Sequence, residues 1–191
     1  MMKDYFVIPV ARGEKRPSIR AWQETRMTYD ELERRFPDAN VGVLCGVGDY
    51  PIAAIDIDVL DEALAVQFRD WCFTHLGAAP ERIGRAPKRL LVYRAAEAGW
   101  KKSVSGALDG QRVEVLGAGQ QFVAFGLHPD THAPYRWTGK DLHDVPASSL
   151  PVITREQVAE AIRAFEKMAG DTEKQLAAVL NGLDQRGGVS R

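Results

Sequence analysis

Cysteine is scarce, long apolar runs are missing and net charge is almost nil, and each shortage argues against a class of protein. The chain holds two cysteines in 191 residues, Cys45 and Cys72, and neither lies in a Cys-x-x-Cys pair. This argues against a zinc ligand set and a secreted disulfide framework. No apolar run approaches the roughly 18 residues of a membrane span, and the N-terminus has no signal-type cleavage site. We therefore expect a cytoplasmic protein with no membrane partner.

The near balance of charge hides two basic segments. Lys and Arg number 25 against 26 Asp and Glu, which argues against a uniformly basic coat for nucleic acid. Between Arg82 and Arg112, however, eight basic residues stand against two acidic ones, and between Arg12 and Arg26 five stand against two. A polyanion is expected on these two segments. Scattered solvated charges remain the alternative, because charge runs alone are weak evidence.

Hydrophobic periodicity predicts interleaved strands and helices, hence an α+β fold with a mixed sheet. Helices are predicted from a Thr28 cap to Phe36 and over Asp61 to Leu76. Residues 1–150 are predicted to form the sheet domain, and residues 151–191 a helical appendage or linker. The predicted strands are Tyr5 to Ala11, Asn40 to Cys45, Ile52 to Val59, Arg89 to Tyr93, Arg112 to Leu116 and Gln121 to Phe125, with Tyr135 to Trp137 as an extension.

The appendage is predicted to contain two helices, Arg155 to Met168 and Thr172 to Leu183. Gly170-Asp171 is taken as the break between them, since glycine is a poor residue for a helix interior. Thr154 and Gln157 are spaced to cap the first helix.

Two carboxylates at the end of one apolar strand are the most informative feature. Asp56 and Asp58 are separated by one residue, so they project to one face of the strand while Ile55 and Ile57 project to the other. Like charges this close repel unless a cation joins them, and a hard divalent ion such as Mg²⁺ or Mn²⁺ is the natural partner. The alternative is a pair of solvated residues at a strand end.

Glu114 is the candidate for a third ligand. Its apolar neighbours Val113 and Val115 place it alone on the opposite face of its strand. If this strand lies near that of Asp56 and Asp58, three carboxylates converge as in a two-metal phosphoryl-transfer site. A glutamate on an open face, paired with Arg112 or Arg94, is equally compatible with the pattern.

Candidate phosphate ligands occur in two loops. Arg82, Arg85, Lys88 and Arg89 lie in a predicted turn leading into a strand, where arginine forks and a lysine ammonium could meet anionic oxygens. His128 opens a proline-rich loop and could donate to a phosphate or sugar oxygen. A solubilising basic loop and a packing histidine are the alternatives.

Together these motifs resemble the bifunctional DNA primase/polymerase domain of the archaeo-eukaryotic primase superfamily, in the version found in phage, prophage and plasmid replication proteins. The resemblance covers roughly residues 5 to 150. It rests on four strings in order: Gly13-Glu14-Lys15-Arg16-Pro17 with Trp22; Asn40 to Gly46 leading to Ile55-Asp56-Ile57-Asp58; Ala86 to Arg94; and Val113 to Gly117 with Gln121 to Ala124, His128 to Thr131 and Tyr135-x-Trp137.

The resemblance implies an RRM-like catalytic unit that performs template-directed nucleotidyl transfer from dNTP or NTP by a two-metal mechanism. Asp56, Asp58 and Glu114 would bind Mg²⁺ or Mn²⁺. Arg85, Lys88, Arg89 and His128 would bind the nucleotide on a single-stranded or primed DNA template. A replicative helicase in cis or trans is the implied partner. The chain departs from the family at two points. Many members have a histidine at the head of the strand that corresponds to Arg89–Tyr93, and this chain has none there. The third metal-binding acid is Glu114 here, where the family has Asp.

Two other functions fit the same residues. A non-catalytic single-stranded nucleic-acid-binding module would use the basic segments and stack bases on Tyr93, Trp100 or Phe122. A metal-dependent phosphohydrolase or nuclease would use the same acids.

Overall fold

A computed structural model describes residues 2–106 and 110–187, with side chains up to residue 178. Over this part of the chain it contains ten strands and three α-helices, which confirms the predicted mixed α+β class. The strands are β1 (Val7–Val10), β2 (Asn40–Leu44), β3 (Ile52–Asp58), β4 (Glu81–Ile83), β5 (Arg89–Ala95), β6 (Ser103–Val104), β7 (Arg112–Leu116), β8 (Gln121–Phe125), β9 (Arg136–Trp137) and β10 (Val152–Ile153), and the helices are α1 (Tyr29–Arg35), α2 (Glu62–Leu76) and α3 (Arg155–Gly187).

The strands form two sheets. The larger has the order β6-β7-β3-β5-β4-β9, with β10 alongside β5, and the smaller has the order β1-β2-β8. Every pairing is antiparallel except that of β10 with β5. Strand β3, which carries the paired aspartates, therefore lies inside the larger sheet between β7 and β5.

The two faces of β3 have different neighbours. Ile55 and Ile57 belong to a core shared with helices α2 and α3, whereas Ile52 and Ala54 belong to a second core shared with the smaller sheet. The predicted alternation of this strand is therefore confirmed. Asp56 follows Ala54 on the second face, at the point where apolar cover from the smaller sheet gives way to polar side chains.

The predicted helix caps are present: the Glu31 amide donates to Thr28 Oγ1 at 3.3 Å at the start of α1, and the Gln157 amide donates to Thr154 Oγ1 at 3.3 Å at the start of α3. The cap of α2 was not predicted, and there the Leu64 amide donates to Asp61 Oδ1 at 2.9 Å. Strands β4, β6 and β10 were not predicted. They have only two or three residues each, too few to show a period. The predicted basic turn is also shorter than expected, since Arg82 belongs to β4.

The prediction of two helices after Thr154 is wrong, because α3 runs without a break from Arg155 to Gly187. A glycine inside a helix costs only about 1 kcal/mol relative to alanine, which is too little to end a helix stabilised on both sides. Thr172 Oγ1 also donates to the Met168 carbonyl oxygen at 3.0 Å, across the expected break. Within residues 2–106 and 110–187, no helix is both long and apolar enough to span a bilayer.

The first half of α3 belongs to the main core. Val158, Ala161, Phe165 and Ala169 are buried there, and the Phe165 ring lies 5.3 Å from that of Phe68 on α2. The domain boundary at residue 150 stays a prediction, but this packing predicts that the sheet needs α3 for stability.

We predict that Phe165→Ala lowers the free energy of unfolding by about 3–5 kcal/mol, since it leaves a cavity in a fully buried site. Leu176→Ala, further along α3 where the side chain is 60% exposed, should change it by less than about 0.5 kcal/mol. Urea unfolding followed by circular dichroism measures both. Equal losses in the two variants would contradict the assignment of only the first half of α3 to the core.

Candidate active site

The register of the larger sheet places the acidic residues in one row. Asp56 of β3 is directly opposite Glu114 of β7 on one side and Leu90 of β5 on the other. The same row continues to Arg82 of β4 and to Val104 of β6. Directly paired residues on neighbouring strands point to the same face, so these five side chains share it. The strand of Glu114 is thus adjacent to that of Asp56, as the three-carboxylate hypothesis requires.

A second row lies one pleat further along. Asp58 is opposite Arg112 of β7, and Lys88 stands immediately before β5 on the other side. Lys88 Nζ forms an ion pair with Asp58 Oδ1, and Arg112 Nε lies 3.9 Å from Asp58 Oδ2. Asp58 is therefore held between two cations.

Glu114 is held in a similar way. Lys102 Nζ lies 2.8 Å from Glu114 Oε2, and Arg112 Nε lies 3.4 Å from Glu114 Oε1. Glu114 is therefore paired with Arg112, as the alternative to a metal ligand proposed, and it is also adjacent to Asp56, as the metal hypothesis proposed. Glu114 can take part in a metal site only if it exchanges some of this cationic contact for the ion.

Asp56 has the most unusual environment of the three acids. Burial raises the pKa of its carboxyl group, the facing Arg82 guanidinium counteracts this, and Asp58 and Glu114 raise the pKa further. Among the ion pairs found in the described ranges, none involves Asp56. A half-buried carboxyl with two acidic neighbours is a group that a divalent cation would stabilise in its ionised form.

A cleft of about 190 Å³ opens beside these carboxylates on the β4–β5 side. Five cations and three aspartates line it, together with a histidine and a tyrosine. They are Lys15, Arg82, Arg85, Lys88, Arg89, Asp56, Asp58, Asp130, His128 and Tyr135. The excess of positive charge beside the carboxylates suits a ligand that carries several phosphates.

Arg82 forms the floor of the cleft and is 9% exposed. Its Nη1 donates to the Val123 carbonyl oxygen, and its guanidinium carbon lies 4.5 Å from the centre of the Tyr135 ring. Its Nε is buried, and no hydrogen-bond partner for it lies in the described part of the chain. Burial lowers the pKa of this guanidinium, and the nearby Asp56 carboxylate opposes that shift.

Gly84 allows the cleft wall to close around two rings. A Cβ at this position would lie 2.6 Å from Tyr135 Cε1 and 2.8 Å from His128 Cδ2. Both distances are shorter than van der Waals contact, so only glycine lets the backbone just after β4 approach the rings this closely.

His128 is buried, and its Nδ1 faces two backbone donors. The amides of Asp130 and Thr131 lie 3.2 and 3.4 Å from Nδ1. Nδ1 is therefore the acceptor, and the ring carries its proton on Nε2. Burial lowers the pKa of His128, and the nearby cation Lys15 lowers it further. His128 is accordingly a neutral donor at neutral pH.

The other predicted nucleotide ligands have different surroundings. Arg85 is half exposed and lies 3.7 Å from Asp130, so its guanidinium can reorient toward a ligand. Arg89 is buried, and its Nη1 donates to Glu81 Oε1 at 2.8 Å. Glu81 also accepts from Thr138 Oγ1 at 2.7 Å. Arg89 thus lines the cleft while it is fixed in a buried ion pair.

The carboxylates have the type of donor atom that binds a divalent metal ion. Within residues 2–106 and 110–187, no group of three or more His, Cys, Asp or Glu side chains is close enough to hold a metal ion. Asp56 and Asp58 nevertheless lie on one face of β3 and line the same cleft, and their oxygens are the ligands that Mg²⁺ and Mn²⁺ prefer. These two residues fit a divalent ion, and Glu114 is the neighbour able to join them.

Sequence reasoning assigned no role to Lys15 or Tyr135, which line the cleft, and it placed Arg82 only in a basic turn of candidate phosphate ligands. Lys15 is far from the other residues in sequence and comes close because Gln121 Nε2 donates to its carbonyl oxygen at 2.8 Å. The motif Gly13 to Pro17 contained a signal for Lys15. The pairing of β4 with β5 places Arg82 in the same row as Asp56, which the sequence pattern did not show.

A sequence model of the family described as bifunctional DNA primase/polymerase, N-terminal, matches residues 1–153. No curated protein matches the chain.

The Arg89–Glu81 ion pair leads to a stability prediction. Arg89→Met should lower the free energy of unfolding by about 3–5 kcal/mol, because it leaves Glu81 buried without its partner. Arg85→Met, at a half-exposed position, should change it by less than about 0.5 kcal/mol. Chemical denaturation measures both. The double variant Arg89→Met/Glu81→Gln should regain much of the loss, and no recovery would contradict a local charge effect.

Proposed function

The chain belongs to the bifunctional DNA primase/polymerase family, and from this membership we propose that its cleft carries out template-directed nucleotidyl transfer by a two-metal mechanism. The family makes the chain a DNA primase/polymerase domain in general terms, and such a domain acts on DNA and nucleotides. The metal dependence, the roles of individual residues and the biological setting are the proposal.

The observation that carries this proposal is the position of the two aspartates at the edge of a cationic cleft. Asp56 and Asp58 line the same cavity as Lys15, Arg82 and Lys88. Metal-binding oxygens and phosphate-binding cations are therefore in contact with one volume. Phosphoryl transfer needs this combination, since metal ions and cations together neutralise the charge that develops on the phosphate oxygens.

Asp56 and Asp58 would hold the divalent ions, with Glu114 as the third ligand. A divalent ion held there would supply charge stabilisation for the phosphate oxygens during transfer. The protein fixes the two aspartates on adjacent pleats of β3, which is buried from both sides by the two cores. A rigid central strand keeps the carboxylates in position without a flexible loop.

The triphosphate would lie along the β4–β5 side of the cleft. Arg85 and Lys88 are partly exposed and can turn toward its oxygens, and His128 offers its Nε2 proton. Lys88 is paired with Asp58 in this structure, so nucleotide and metal binding would separate that pair together. Arg89 contributes its charge from a fixed position next to Glu81.

The setting we propose is the replication protein of a phage, prophage or plasmid, in which a helicase works beside this domain in cis or trans. The motif resemblance supports this setting. A second support is helix α3: among its side chains up to residue 178, Ala169 is the last one buried in the core, and Leu176 beyond it is exposed.

The non-catalytic binding module is less well supported. The aromatic residues that it would use for stacking, Tyr93, Trp100 and Phe122, are between 0% and 5% exposed. Bases cannot stack on rings that are covered by the core. A nuclease would use the same acids, and its products would be shorter strands in place of pyrophosphate.

We predict that Asp56→Asn and Asp58→Asn each reduce nucleotide incorporation on primed DNA with Mg²⁺ or Mn²⁺ by at least about a thousandfold, since each removes a metal ligand. Primer extension resolved on a sequencing gel measures this, beside an unprimed template that tests strand initiation. Asp70→Asn, an exposed aspartate on α2, is the matched control. Nucleotide incorporation at the wild-type rate in both Asp56→Asn and Asp58→Asn would contradict the metal assignment.

Lys88→Gln should raise the KM for dNTP by about tenfold to a hundredfold, the range expected for one charge-assisted hydrogen bond. The same change removes the cation paired with Asp58, so the Mg²⁺ concentration needed for half-maximal activity should stay equal or fall. Steady-state kinetics at varied dNTP and Mg²⁺ measure both values. A higher Mg²⁺ requirement with an unchanged KM for dNTP would contradict the role of Lys88 in binding phosphate.

A further inference from the structure

On the face of the larger sheet that carries the carboxylates, one group of cations lies toward β5 and another lies toward β7. The proposed function uses only the group toward β5. On the β4–β5 side, Arg82 and Lys88 line the cleft described above. On the β7–β6 side, Lys102 and Arg112 form ion pairs with Glu114 and do not line that cleft. This second group has no role yet.

We propose that Lys102 and Arg112, together with Val104 of β6, form the site that binds the 3′ end of the primer strand. The proposal rests on the proposed function and adds the position of its second substrate. Its partner is the sugar-phosphate backbone and terminal nucleoside of a DNA primer.

The first argument is the direction of the reaction. In phosphoryl transfer the attacking oxygen and the leaving group lie on opposite sides of the phosphorus atom. If the β- and γ-phosphates lie over Lys88 and Arg85, the attacking 3′-hydroxyl approaches Asp56 from the opposite side. Across the sheet from β5, that side is β7 and then β6.

The second argument is the availability of the two cations. The side chains of Lys102 and Arg112 are 34% and 50% exposed, whereas that of Glu114 is 14% exposed. Lys102 and Arg112 thus both contact one largely covered carboxylate, and part of each cationic side chain stays accessible to solvent. A divalent ion that takes up Glu114 and Asp58 would release both cations for phosphate oxygens, so metal binding would strengthen DNA binding here.

The third argument is an exposed apolar residue in the same row. Val104 is directly opposite Glu114, on the far side from Asp56, and is 48% exposed. Strands lie about 4.8 Å apart, which places Val104 about 10 Å from Asp56 across the sheet. An apolar surface at this distance suits the sugar or base of a primer nucleotide whose 3′-hydroxyl reaches the metal site.

The first test is binding of fluorescent primed DNA that ends in a dideoxynucleotide, measured by anisotropy over a range of NaCl concentrations with Mg²⁺ present. Lys102→Gln/Arg112→Gln should bind about tenfold more weakly than wild type. The magnitude of its negative slope of log K against log salt should be smaller by about 1.8, as expected for two lost phosphate contacts. Binding of a fluorescent dNTP analogue without DNA should change less than about twofold.

The matched control is Lys140→Gln/Arg155→Gln, which removes the same charge at two exposed positions outside both cation groups. Thermal unfolding of both double variants checks that they are folded. Because the site variant leaves Glu114 unpaired, Lys102→Gln/Arg112→Gln/Glu114→Gln provides a second version without that charge. Equal DNA affinity in the control and in both site variants would overturn the proposal.

The second test locates the primer directly. A photo-crosslinking amino acid at position 104 should attach to the last nucleotides of the primer strand. The same residue at position 152, an exposed valine on β10, should give no such product. Crosslinks to the template alone, or equal yields from both positions, would overturn the assignment of Val104.

These outcomes are separate from the fate of the proposed function. If the wild-type protein incorporates no nucleotide, but the site variants still bind primed DNA more weakly than the control, the proposed catalysis is refuted and the DNA site is kept. Normal Asp56-dependent incorporation with unaltered DNA binding in those variants would refute the DNA site alone.

Discussion

The antiparallel register that joins β7, β3 and β5 is the constraint on which the site depends. It places Glu114, Asp56 and Leu90 side by side, and through β4 it adds Arg82 to the same row. A shift of one residue in either pairing would turn the acids toward the core that α2 and α3 cover. The apolar residues that alternate with Asp56 and Asp58 fix that register, because their burial is lost if the strand slips. Packing and chemistry are thus set by the same alternation.

The second feature of the site is that opposite charges are kept close but incompletely neutralised. Asp58 and Glu114 share Arg112 and are each approached by a lysine, whereas Asp56 is paired with none of these cations. Arg82 lies in the same row as Asp56, with its Nε buried and unbonded within the described residues. Buried groups left in this condition cost stability, which is typical of positions maintained for ligand binding.

Much of this arrangement was predictable from local patterns. The alternation around Asp56 gave the face of both aspartates, and the apolar neighbours of Glu114 gave its face, since a period of two is visible within five residues. The pairing that brings Glu114 to Asp56 is not visible in local patterns, because strand order is a property of the whole chain. The same limit hid the place of Arg82 in the row of Asp56, since its strand has only three residues. It also hid Lys15, which reaches the cleft through a contact with Gln121. The continuity of α3 has another cause: the helix-forming residues on both sides of Gly170 outweigh the small cost of a single glycine.

The ends of the larger sheet have a consequence for how the protein behaves in a crowded solution. Its outermost strands, β6 and β9, contain two residues each. A strand this short presents few unpaired amide and carbonyl groups, so a neighbouring chain cannot extend the sheet by adding a strand of its own. The long, apolar strands β3 and β5 lie inside, where both of their edges are already paired. The sheet can therefore keep a strongly hydrophobic centre and an open, charged face without offering a template for aggregation.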